Sequence, residues 1–109
     1  MIKSGIDIVY NKRFKKLAKD SGFLERVFHP SELKNKNKLA GIFALKEAVM
    51  KALGKKLNWK NIEVQVRDGK KSLIKLSNEI KPTGLGGIDA SLSHDGEYTI
   101  GLVVIEQRG

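Results

Sequence analysis

Glu47 and Lys51 lie four residues apart in LAGIFALKEAVMKALG, the spacing that sets two side chains on one face of a helix, with the acid nearer the N-terminus. Such a pair is most often an ordinary surface ion pair worth a few tenths of a kcal/mol. The apolar residues that flank this one predict a place at the rim of something buried. Asp7 stands inside the apolar run Gly5-Ile6-Asp7-Ile8-Val9. There an ionised carboxylate is costly unless it points to water from the open face of a sheet or meets a cation, a metal or several donors. An Asp from a strand and a Glu from a helix converging on one hard cation is the chemical alternative, because Mg²⁺ is usually held by one or two carboxylates together with waters and substrate phosphates. Spacing alone leaves both readings of Asp7 open.

Ser93 and His94 close an alternating run just before Asp95-Gly96, a place where loops present functional groups. Adjacent residues of a strand point to opposite faces, so this serine and histidine make a poor nucleophile and base. The second histidine, His29, is isolated, which leaves no spaced set for zinc. Gly84-Leu85-Gly86-Gly87 precedes a strand rather than opening a helix and matches neither the Walker nor the dinucleotide pattern. The runs Lys12-Arg13-Phe14-Lys15-Lys16 and Lys34-Asn35-Lys36-Asn37-Lys38 could meet phosphates or acidic side chains, although charge runs are more often solvated faces.

The elements that must carry these groups follow from periodicity. In Ile2-Lys3-Ser4-Gly5-Ile6-Asp7-Ile8-Val9, Ile6 and Ile8 share one face and Gly5, Asp7 and Val9 the other, the alternation of a strand. After Asn11, the residues Phe14, Leu17 and Ala18 fall on one side of a short basic helix; Leu24, Val27 and Phe28 continue a helical spacing to His29-Pro30, and Ser31 with Glu32 starts another turn. The clearest element is a helix over residues 39–53, with Leu39, Ile42, Phe43, Val49, Met50 and Leu53 at three-four spacing, Lys46 interrupting that stripe and Gly54 at the usual left-handed cap. Ile62, Val64 and Val66 alternate before Asp68-Gly69, a two-residue turn signal, and Ser72-Leu73-Ile74-Lys75-Leu76 returns as the partner strand. Lys81 to Gly87 reads as a loop, Ile88 to Ser93 as a strand, His94 to Glu97 as a turn, and Tyr98 to Ile105 as a final strand. The whole predicts one α+β domain with an antiparallel sheet around a central helix.

The chain's 109 residues, 40% hydrophobic and 30% charged, suit a single folded domain over 1–109. A domain this small has a modest core and gains from association with other chains. The absence of cysteine excludes disulfides, thiolate zinc sites and a cysteine nucleophile. No stretch approaches the roughly 20 apolar residues of a membrane span, and the first residues lack a signal-peptide core, so a cytoplasmic protein is expected. Twenty-one Lys and Arg against twelve Asp and Glu leave a net charge of +9, which attracts anions of any kind: nucleic acid, acidic proteins or polyphosphate cofactors.

Together, Gly5-Ile6-Asp7-Ile8-Val9, then Leu39-Ala40-Gly41 with Phe43-Ala44-Leu45-Lys46-Glu47-Ala48 and Lys51-Ala52-Leu53-Gly54, then Ser91-Leu92-Ser93-His94, are similar in order and spacing to the holo-acyl-carrier-protein synthases. These are the small trimeric type of 4′-phosphopantetheinyl transferase, and the resemblance spans nearly the whole chain. It implies an α+β fold whose antiparallel sheet packs around a central buried helix. It also implies an enzyme that moves the phosphopantetheine arm of coenzyme A onto a serine of an acidic acyl carrier protein and releases adenosine 3′,5′-bisphosphate. The family needs Mg²⁺. By position, Asp7 and Glu47 match its metal-binding carboxylates and Lys51 its phosphate-contacting lysine, and these three are the expected catalytic residues. Lys46, Lys51, Gly54, Ser93 and His94 are the expected cofactor contacts, and Arg13 with Lys16 on the first helix the expected carrier-docking residues. In that family the site lies between neighbouring subunits of a homotrimer. The chain departs from the pattern at Ile42, where relatives often carry Arg, in a shorter segment before Leu39, and between Leu76 and Ile88, where the usual helix is reduced. Two rivals remain. One is a basic nucleic-acid-binding module, poor in stacking residues with one Trp and two Tyr; the other is a degenerate relative that binds coenzyme A without turnover.

Overall fold

The computed structural model describes residues 1–108. The chain runs β1 (Ile2–Tyr10), α1 (Asn11–Leu17), α2 (Ser21–Val27), α3 (Pro30–Leu33), α4 (Leu39–Leu53), β2 (Ile62–Gln65), β3 (Leu73–Leu76), β4 (Leu85–Asp95) and β5 (Tyr98–Gln107). An antiparallel sheet in the order β1-β5-β4 and a separate antiparallel pair, β2-β3, make up the β structure. The α+β expectation therefore holds.

Helix α4 occupies the bounds expected from its apolar spacing, and Gly54 ends it at φ +71°, a left-handed cap that side chains resist. Ala44, Leu45, Ala48 and Val49 of this helix are fully buried, as are Val103 and Ile105 of β5 opposite them. The contact with the sheet is unusually close. A Cβ on Gly5 would stand 1.9 Å from the carbonyl oxygen of Ala48, so only glycine at that position lets the backbones of β1 and α4 touch. The other side of α4 carries an aromatic cluster: Phe43 lies 5.4 Å from Phe14 and 5.8 Å from Phe23 between ring centroids, and stacks on Trp59 at 5.2 Å and 21°.

Three local expectations change. Asp68-Gly69 is not a tight hairpin turn, because pairing stops at Gln65↔Leu73 and the segment 66–72 forms a longer loop. That loop is held from within by Arg67, whose Nε and Nη2 donate to the Lys71 carbonyl at 3.0 and 2.8 Å, and from outside by an ion pair of Asp68 with Lys38. Strand β4 starts at Leu85 rather than Ile88, absorbing the glycines through a register shift between Leu85 and Gly87. It also ends later than expected. His94 pairs with Thr99 and Asp95 with Tyr98, so His94 belongs to the strand and only Gly96-Glu97 turn. The partner strand explains both ends, since β5 runs on to Gln107 opposite Leu85 and already starts at Tyr98 opposite Asp95, offering ladder bonds at each.

Candidate active site

Alternation along β1 points Asp7 the same way as the buried Gly5 and Val9, toward α4, while Ile6 and Ile8 face outward. The solvated reading of Asp7 is thereby excluded, since its side chain is only 15% exposed. The Gly5–Ala48 seam brings it beside Glu47 and Lys51, one helical turn apart on α4. Lys51 Nζ donates to Asp7 Oδ1 at 3.1 Å and to the Ile6 carbonyl at 2.9 Å. The sequence spacing suggested a Glu47–Lys51 pair. The lysine instead reaches across to the strand, and among the described residues Glu47 forms no ion pair.

Burial pushes the Glu47 carboxyl above the ordinary carboxylate range, and the nearby Asp7 charge pushes it further; Lys51 and Lys56 pull the other way. Glu47 stands on the divide between two hollows. On one side, a cavity of about 200 Å³ is lined by Asp7, Glu47, Tyr10, Arg13 and Phe14. On the other, one of about 610 Å³ is lined by Glu47, Lys51, Gly54, Lys55, Lys56 and Trp59. Two carboxylates on one cavity and lysines around the adjoining one supply the donor types that a hard cation and a polyanion respectively take.

Not every expected residue joins them. Lys46 is fully buried and points into the core; its Nζ donates to Val27 O at 2.7 Å, Glu32 Oε1 at 2.8 Å and Trp59 O at 3.4 Å, and sits 5.5 Å from the centre of the Phe28 ring. With its three protons directed inward, Lys46 has no donor for a cofactor, and its expected contact is corrected on that ground. His94 lines a third hollow of about 760 Å³ with Asn11, Phe14, Lys15, Gly41 and Thr99, away from the two carboxylates within one chain. Ser93 faces the opposite side of the sheet, opposite Ile100. Arg13 borders the Asp7–Glu47 cavity, whereas Lys16 lies exposed on α1.

Sequence reading missed Glu32 and Trp59. Glu32 is 3% exposed, pairs with Lys46, and accepts from Val64 N at 2.8 Å and His29 N at 2.7 Å. Its only signal was a carboxylate at the third position of a helix opened by Pro30, the usual place for a side chain that turns back onto the chain before it.

Comparison with known proteins gives this arrangement its context. A family model described as the 4′-phosphopantetheinyl transferase superfamily matches residues 3–103. The holo-[acyl-carrier-protein] synthase of Helicobacter pylori strain 26695 is 40% identical over 112 residues, covering 93% of this chain and 94% of that protein. The enzyme of the same name from Finegoldia magna is 35% identical over 114 residues, with 95% of each chain covered. The crystal structure of the Helicobacter pylori synthase in complex with coenzyme A superposes with a TM-score of 0.83 at 38% identity, covering 97% of this chain and all of that one. By this measure, and by the whole-length match of its sequence, the chain belongs to the 4′-phosphopantetheinyl transferase superfamily.

Proposed function

We infer that the protein is a holo-acyl-carrier-protein synthase that transfers the 4′-phosphopantetheine moiety of coenzyme A to a serine hydroxyl of an apo-acyl carrier protein. The reading is supported by relatives and structural neighbours that carry the synthase name over nearly their whole length. It is carried by one observation in the chain itself: Asp7, Glu47 and Lys51 meet at a lysine-rimmed cleft. The domain is taken to be 1–109 as a unit, working in the cytoplasm, where its product serves fatty acid biosynthesis.

In the reaction, the serine oxygen attacks the phosphorus that bears pantetheine. The bond from that phosphorus to the bridging oxygen breaks, adenosine 3′,5′-bisphosphate leaves with the electron pair, and the serine proton passes to a base. Catalysis of such a step is mainly positioning plus electrostatic stabilisation. Lys51 offsets charge on the phosphates, and Glu47, on the cavity it shares with Asp7, is the side chain placed to take the proton. The donor set fits Mg²⁺, a hard cation that needs few protein ligands: Asp7 repels Glu47 across the shared cavity, and no third acid or histidine joins them among the described residues. Asp7 and Glu47 would hold the ion, which when bound neutralises pyrophosphate oxygens.

A homotrimer with sites between subunits is the assembly we propose. Ile2, Ile6, Ile8 and Leu102 are exposed on the outer face of the sheet, with Ile6 and Leu102 directly paired across β1 and β5. That apolar strip calls for a cover. His94 and the carboxylates border separate hollows in one chain, so a neighbouring copy would have to bring His94 to the cofactor. Replacing Ile6 and Ile8 with Lys is expected to yield monomers by light scattering and to abolish transfer, since each isoleucine buried is worth about 1.5–3 kcal/mol. A variant that stays trimeric would remove this strip from the interface.

The acidic carrier is drawn to the cationic first helix. Arg13→Ala is expected to raise the KM for the carrier about two- to fivefold with little change in kcat, the rise shrinking in high salt. An unchanged KM would move docking elsewhere. The function itself is tested by incubating the protein with apo-carrier, coenzyme A and Mg²⁺ and reading the mass of the carrier. Addition of the phosphopantetheine mass is expected; coenzyme A binding without mass gain would mark a degenerate relative.

A further inference from the structure

Lys46 reaches no substrate, yet it ties together five parts of the chain. From α4 its ammonium donates to the end of α2 at Val27 O (2.7 Å), to Glu32 of α3 (2.8 Å) and to Trp59 O in the segment that returns from α4 (3.4 Å). Glu32 passes the link on to β2 through Val64 N at 2.8 Å. The Trp59 contact bears on the cleft, because Trp59 lines the cavity of Glu47, Lys51 and Gly54, and its ring stacks on Phe43, one helical turn before Glu47. Segment 54–58, which carries Lys55 and Lys56 into that cavity, is anchored at one end by the cap of α4 and at the other by the turn at Trp59.

We propose that Lys46, with Glu32 as its partner, is a positioning residue for cofactor binding: by holding the Trp59 carbonyl it fixes the wall of the cleft that presents Lys55 and Lys56 to the phosphates of coenzyme A. The proposal rests on the transferase reading of the same cleft. Glu47 and Asp7 are set by a different contact, the backbone seam at Gly5, so loss of the brace displaces the cofactor wall and leaves the reacting acids in place. The effect falls on cofactor affinity and spares the carrier.

The test uses the double variant Lys46→Met/Glu32→Gln, which removes both charges together and so avoids stranding one of them in the core. Folding is checked by circular dichroism and by trimer mass. Coenzyme A binding is measured by calorimetry, and Trp59, the one tryptophan of the chain, serves as the fluorescent reporter of its own segment. The expected result is a folded protein whose Kd and KM for coenzyme A rise about tenfold, with the carrier KM and kcat within about twofold, and whose tryptophan emission shifts toward that of solvated indole. Should the double variant fail to fold, Lys46→Arg with the native Glu32 keeps the charge pair. Its longer head displaces the Trp59 segment, so it is expected to show the same selective loss of coenzyme A affinity. Unchanged coenzyme A affinity and emission in a folded variant would overturn the proposal, as would an equal fall in every kinetic parameter. Absence of transfer by the unaltered chain would instead overturn the transferase reading.

Discussion

Glu47→Gln is expected to lower kcat by about 10²–10⁴-fold, the range for loss of a positioned general base, while raising the stability of the metal-free protein at neutral pH. Both halves come from one carboxyl. Burial, with Asp7 adding to it, raises its pKa in the folded chain above its value in the unfolded chain. A carboxyl raised in this way binds its proton more tightly when folded. Stability is therefore undiminished at pH below the unfolded value and falls as pH climbs through the carboxylate range to the raised folded value. Glutamine carries no such charge and escapes that loss. Thermal melts of parent and variant in chelator between pH 4 and 8 should diverge with rising pH, the variant the more stable, while single-turnover transfer in Mg²⁺ collapses. Equal rates, or a variant that melts lower than the parent at pH 8, would contradict the role given to Glu47.

Lys46→Met alone is expected to destabilise the fold by about 3–5 kcal/mol, the range for breaking a buried ion pair by removing one partner. The methionine fills a similar volume, yet Glu32 remains 3% exposed with only the Val64 and His29 amides to satisfy it, and the Val27 and Trp59 carbonyls lose their donor. Burial holds the lysine's own pKa below its usual value, with the hydrogen bond it donates to Glu32 opposing that shift, so the pair survives by its mutual contact. Against a total of about 5–15 kcal/mol for a domain, the loss is large enough to be read directly in a urea midpoint. Adding Glu32→Gln should recover much of it. A single variant within 1 kcal/mol of the parent by the same titration would mean that the pair stabilises little beyond its own desolvation.

The sequence made α4 legible because a long run at helical spacing ends in a glycine, and both signals are local. Strand β1 was equally readable from alternation, but alternation left Asp7 open between water and a cation; only the family resemblance implied that it meets Glu47, and which partner Lys51 takes depended on how closely strand and helix approach. The Glu32–Lys46 pair was hidden for a physical reason. Lys46 interrupts an apolar stripe and by pattern alone could face either a cofactor or the core; only the tertiary placement of α3, fourteen residues earlier, decides it. The hairpin loop 66–72 and the ends of β4 were misread because turn signals such as Asp68-Gly69 speak for a local bend and carry no information about how far a partner strand extends.

Gly5 is two residues before Asp7, and Ala48 one after Glu47, so the gap between the two acids is inherited from main chains in direct contact. Any side chain at position 5 would act as a shim, prising the strand from the helix. A wider gap suits a larger ion with more ligands, as calcium prefers, whereas a narrower one suits a small ion that keeps much of its own water. Discrimination between divalent ions would thus be written at a residue that has no side chain to offer the ion.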